Sequence, residues 1–214
     1  MSITFDFDDG NGPVPARRHR NPDGTLGGWV AETASVAETA FVAPTALVCG
    51  KAQVRDQASA LDHAKIKDAA TISLSAIVRD HAEISGNAHI THHATVAGDA
   101  KVGDTAAILN NAMVTDLARV FGRAIIANDA HLFGHASVHG SAQIYDTAII
   151  MDFSKIDGAA KVSGTACTYG RLHLTNRDHI FNGTHCDPHD ADKELYGISQ
   201  DALDAVLELD GYIG

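Results

Sequence analysis

Thirteen histidines stand in this chain of 214 residues, and imidazole is the side chain best suited to bind a metal or carry a proton near neutral pH. His63 and His81 lie eighteen residues apart, each preceded by an aspartate, Asp62 or Asp80. Imidazole with carboxylate is a zinc donor set. Near the end of the chain, "HIFNGTHCDPHDAD" gathers His179, His185, Cys186, Asp187, His189 and Asp190, again donor types that hold transition metals. His92, His93, His131 and His135 could serve as general bases on a hydroxyl or amine. The three cysteines, Cys49, Cys167 and Cys186, have no metal-type spacing and read as reduced thiols. Glycine-rich phosphate loops, a nucleophile elbow and a basic-aromatic nucleic-acid surface do not occur. The bland alternatives, solvated turn residues for the first cluster and a polar loop for the second, outweigh the metal readings. The sequence therefore assigns no catalytic residue, no metal ligand and no cofactor.

The elements that must position these side chains are set by a repeat. From Val30 to His173 one six-residue frame holds for 24 hexads without insertion or deletion. An aliphatic residue opens nearly every hexad (Val30, Val36, Val42, through Ile156 and Val162), with Ala60 and Thr168 as exceptions. Alanine follows four places later, broken only by Ser154 and Leu172. A fixed period over two-thirds of a chain decides the fold before any local motif. Ala-x-Val-x alternates inward and outward, as a strand does. The two intervening positions are rich in Gly, Asp and Asn, which tolerate the dihedrals of a sharp corner. Strand and corner alternating without helices must wind as a parallel coil. Three hexads per turn predict eight triangular coils, a prism roughly 38 Å long at about 4.8 Å per coil.

This hexad resembles the hexapeptide repeat of left-handed parallel β-helix proteins, and the likeness spans all 24 hexads. The left hand comes from the resemblance, since the general rule for parallel crossovers favours the right. "DGTLGGWVAETASV" and "ISGNAH" also resemble the bacterial YdcK-like group. Two enzyme families share the implied fold. "GHASVHGSAQI", residues 134–144, is similar to the histidine-bearing coil of γ-class carbonic anhydrases, trimers that hold zinc between subunits. Here three residues, not four, separate His135 from His139, and the expected Arg and Asp companions are missing. Hexapeptide acyltransferases use a histidine base with acyl-coenzyme A, and in many of them a loop interrupts the array to build the acceptor site. This array has no interruption. Fold analogy is not an activity.

The flanks and surfaces follow from the frame. Residues 1–29 predict a short strand over Ile3 to Phe7, then a loop through Gly28, with Trp29 as an apolar lid on the first coil. Residues 174–214 predict a C-terminal loop and a short helix, Ser199 to Leu209, and both flanks are expected to cap the open coil ends. Net charge is −11, which opposes a phosphate-tracking surface. The start "MSITFDFDDG" lacks a basic head and apolar stretch, so a cytoplasmic location is expected. Counting in eighteens sorts outward residues onto three walls. The first is charged (Lys65, Lys67, Glu83, Lys101, Arg119, Lys155), and the second is small and polar apart from Leu109, Ile125 and Tyr145. The third carries Phe41, Leu61, Ile77, Met113, Phe133, Ile149, Met151, Cys167 and Tyr169, with one fixed charge, Arg79. So long an apolar stack exceeds what a monomer usually exposes. The expected function is a non-enzymatic, homo-oligomeric scaffold or protein-interaction module. Its interface would be Phe41, Leu61, Ile77, Met113, Phe133, Ile149, Met151 and Tyr169, with no nucleic-acid or membrane partner. An acyl-coenzyme A-dependent acyltransferase is the alternative, and a γ-carbonic-anhydrase-like zinc protein ranks below it.

Overall fold

A computed structural model describes residues 3–187. The expected helix at Ser199 to Leu209, with His189 and Asp190, lies outside the described residues.

The chain winds as an all-β, left-handed parallel β-solenoid of triangular coils, with no helix among the described residues. Each wall is a sheet of nine parallel strands, and the first wall adds two antiparallel strands at its N-terminal edge. The pairing advances by eighteen residues per coil, as Gln53 to Thr71 to His89 illustrates. The inward aliphatic and alanine positions are fully buried from Val42 and Ala46 to Val162 and Ala166. Their small volume makes a narrow core from stacked Ile, Val and Ala, which is why aromatic residues make up only 6% of the chain.

The corners explain the Asp and Gly of the repeat. The first corner residue has positive φ in coil after coil, as at Asp56 (54°), Asp68 (59°), Asn110 (61°) and Gly122 (74°), a region that glycine and Asx enter most readily. Aspartate adds a second contribution. Asp68 Oδ2 accepts from Gly86 N at 2.9 Å, and Asp104 Oδ2 from Gly122 N at 2.8 Å, in each case one coil onward. A corner peptide that points along the axis thus finds an acceptor where the strand ladder offers none.

Three expectations need correction. There are nine coils, not eight, because the winding continues past His173. His173 pairs with Lys155, His179 with Lys161, and Thr184 with Cys167. The last step is seventeen residues, so one residue is dropped at the final corner, where Gly183 has φ 84°. Backbone pairing tolerates loss of the hexad signature so long as Leu174 and Ile180 still turn inward.

Second, the stretch read as a loop contains a strand. β1 (Thr4–Phe5), β2 (Val14–Arg20) and β3 (Leu26–Ala31) form an antiparallel set. The polar residues of β2 serve the open end of the first coil. Asn21, just after β2, accepts from Val42 N at 2.9 Å and donates to Val42 O at 3.1 Å, in place of a missing strand. His19 Nε2 lies 3.1 Å from Ala40 O, and both side chains are buried. Gly27 and Gly28 let β3 pass beneath this coil, since a Cβ would lie 2.5 Å from Val42 O and 2.0 Å from Ala46 O respectively.

Third, Trp29 is not a lid. It pairs with Leu47 and points outward on the first wall, stacked on Phe5 at 4.7 Å with the Arg18 guanidinium 5.5 Å from its ring.

Candidate interaction wall

His63 and His81 do stack, at 5.0 Å between ring centres and 11° between planes. Their aspartates face up the corner instead: Asp62 Oδ2 accepts from Asp80 N at 3.3 Å, and Asp80 Oδ2 from Gly98 N at 2.9 Å. Among the described residues, no three His, Cys, Asp or Glu side chains group closely enough to hold a metal ion. In the tail, His179 Nε2 meets Ser163 Oγ at 3.1 Å and His185 Nε2 meets Asn182 O at 2.7 Å.

The four candidate bases do not converge. His92 and His93 stand on the corner between the second and third walls, His92 with φ 66°. His131 points outward from the third wall. His135 occupies the opposite corner and stacks on Phe153 at 4.7 Å. His139 is on the first wall, 2.5 Å from Ser137 Oγ and stacked on Phe121. Burial, helped by Lys155, lowers the pKa of His139. Burial pushes the thiols of Cys49 and Cys167 up to about 11, so neither is a ready nucleophile. A cavity of about 110 Å3 lies between Phe7–Asp9 and the first wall, lined in part by Cys49, Lys65, Lys67 and Glu83. Ligand pockets run to roughly 300–1,000 Å3, so it is too small for an organic substrate.

On the first wall both carboxylates are paired with cations of the same wall. Glu83 pairs with Lys67 and, at 3.5 Å, with Lys101. Burial alone would raise the Glu83 pKa, but the lysines outweigh it and hold the carboxylate below its ordinary range. Asp157 accepts from His173 at 2.9 Å and pairs with Lys155 at 3.4 Å. Hydrogen bonds, that from Thr175 first, bring its pKa to about 2.

The third wall has no such pattern. Its outward pairs, coil by coil, are Phe41/Ala43, Ser59/Leu61, Ile77/Arg79, Thr95/Ala97, Met113/Thr115, His131/Phe133, Ile149/Met151, Cys167/Tyr169 and Thr184/Cys186. Phe41, Leu61, Ile77, Phe133, Ile149 and Tyr169 are half-buried. Met113 and Met151 are buried within the single chain, at 8% and 2% exposure, and present less surface than an outward position implies.

The sequence reading missed the wall's borders. Leu74 (45% exposed) lies on one flanking corner, and Leu117 (44%) and Phe153 (57%) lie on the other. Between the N-terminal strands and the last coil, these are the exposed large apolar side chains of the described residues, and all three edge the third wall. Gly, Asp and Asn mark most corner slots of the sequence. An apolar residue in such a slot was the available signal.

No protein-family model matches this chain, and no curated protein is similar to it in sequence. No helix among the described residues is long and apolar enough to cross a membrane.

Proposed function

We propose that this protein is a self-associating β-solenoid scaffold of the cytoplasm, non-enzymatic, that packs through its third wall. The observation that carries this reading is the run of outward pairs from Phe41 to Cys186. Arg79 is the only lysine, arginine, aspartate or glutamate in it, and Leu74, Leu117 and Phe153 extend its apolar character onto both corners. The apolar part of this surface gains free energy when removed from water, at about 25 cal/mol per Å2. The uninterrupted corners support the non-enzymatic part, since an inserted loop is what would build a substrate pocket on a flat wall. Affiliation with the YdcK-like group, from "DGTLGGWVAETASV" and "ISGNAH", belongs to the same proposal.

Sedimentation equilibrium at micromolar concentration is the test. A dimer or larger species is expected, and a monomer would overturn the reading. A thermal-shift screen with acetyl-coenzyme A, coenzyme A and zinc is expected to give no saturable shift. Saturation by a coenzyme A species would replace the scaffold with an acyltransferase.

A further inference from the structure

We infer that the occupant of the third wall is a second copy of this chain lying antiparallel to the first, related by a two-fold axis that crosses the fifth coil. This inference rests on the self-association proposed above and adds its geometry. Two face-to-face arrangements are open to this wall in a symmetric pair. With parallel prisms each coil meets the same coil of the partner. With antiparallel prisms the order is inverted, so the fourth coil meets the sixth and the third meets the seventh.

The side chains distinguish the two. Pairings along the wall are offset by eighteen residues throughout from Phe41 to Cys167, with no bulge or insertion, so relief from coil to coil is set by side-chain bulk. Its waist is the fourth coil, Thr95 and Ala97, both buried. Two coils further on, His131 and Phe133 are the bulky counterpart. A parallel pair would set waist against waist and bulk against bulk, leaving a gap and a clash. An antiparallel pair sets Phe133 over Ala97.

The corners agree. Parallel packing would lay the exposed Leu117 against the corner of Asn110 and Asn111. Antiparallel packing lays Leu117 against Leu117 of the other copy, because it stands at the fifth of nine coils. The same operation sets His135 opposite Asp99, both exposed in the single chain. A wall about 43 Å long and about 12 Å wide gives roughly 500 Å2 per copy, or about 1,000 Å2 for the pair, near the lower bound for a specific interface.

The test is crosslinking of single-cysteine variants with a short bismaleimide, in a background of Cys49→Ala, Cys167→Ser and Cys186→Ser, with sedimentation run on each. Leu117→Cys alone is expected to crosslink to a covalent dimer. Ile77→Cys and Ile149→Cys are each expected to fail alone and to crosslink when mixed, since the third coil meets the seventh. A sedimenting dimer in which Ile77→Cys crosslinks to itself and the mixture gives no mixed product would overturn the antiparallel geometry while leaving self-association standing. A trimer would do the same. A monomer in every background would overturn both readings.

Discussion

The first and third walls are built on one backbone, and they differ in what stands on it. Both are stacks of two-residue strands at the same spacing, and both bury the same Ala and aliphatic ladder behind them. On the first, Glu83 pairs with Lys67 and Lys101 between coils, and Asp157 pairs with Lys155 and accepts a hydrogen bond from His173 near the other end. That wall has little to gain from a partner, because its charges would lose water on burial. On the third, Phe133, Ile149 and Tyr169 stand half-exposed without compensating charge. A solenoid thus separates two tasks. The inward positions stabilise the coil, and each outward wall is free to be solvated or to bind.

Matched substitutions on one coil give the largest expected contrast. Phe133→Asp, on the third wall, is expected to weaken self-association by at least ~100-fold in Kd, as loss of a central aromatic anchor does. Ser137→Asp, four residues on and facing the first wall, should leave the sedimentation profile unchanged. Equal effects would erase the distinction between the walls.

The next largest effect concerns the inward ladder shared by both walls. Ser154 and Thr168 break the hexad rule, and both hydroxyls are buried without a hydrogen-bond partner. Thr168→Val should raise stability by about 1–2 kcal/mol in urea denaturation, since an unpaired buried hydroxyl gives way to an apolar group of the same shape. A loss would show that the hydroxyl is satisfied in solution.

Leu74 borders the third wall with φ 59° and 45% exposure. A side chain with a Cβ is strained there, so Leu74→Gly should stabilise the fold by about 1 kcal/mol, read as a rise in melting temperature. If the leucine is kept for contact at the wall's edge, the same variant should weaken self-association at the same time.

The smallest effects belong to the first wall and the N-terminal cap. Glu83→Gln is expected to change stability by less than about 1 kcal/mol, because its partners are surface lysines. Burial holds the pKa values of His19 and His139 below the ordinary imidazole value. The unfolded chain therefore takes up protons at these sites first. Their contribution is complete above an unfolded pKa of about 6.5 and declines as pH falls through that value toward the lower folded ones. Denaturation midpoints at pH 7.5 and 5.5 should show this drop, and His139→Gln should reduce it. An unchanged slope would mean that His139 titrates alike in both states.

Some of this was legible from residue order, and some was not, for physical reasons. The solenoid, its triangular section and its three walls follow from the hexad, since a period of six with an inward residue at two fixed places permits little else. The stacking of His63 on His81 followed from their spacing of eighteen. The ninth coil was hidden because Asp178 and the shortened corner at Gly183 erase the sequence period while backbone hydrogen bonds continue. The strand β2 was hidden for a related reason. "PARRHRN" has no apolar alternation, because its work is to give polar side chains to an open coil edge.

What the sequence alone determined is therefore the backbone path and which side chains point away from the axis. The local rules of inward packing and corner dihedrals act on each hexad independently. Tertiary structure alone decided which outward groups are spoken for. Asp62 and Asp80 became caps for peptides one coil away, Met113 and Met151 sank between their neighbours, and Leu117 came to stand at mid-height beside the apolar wall. Those outcomes depend on what lies eighteen residues distant, where contact is made by stacking rather than by chain neighbours.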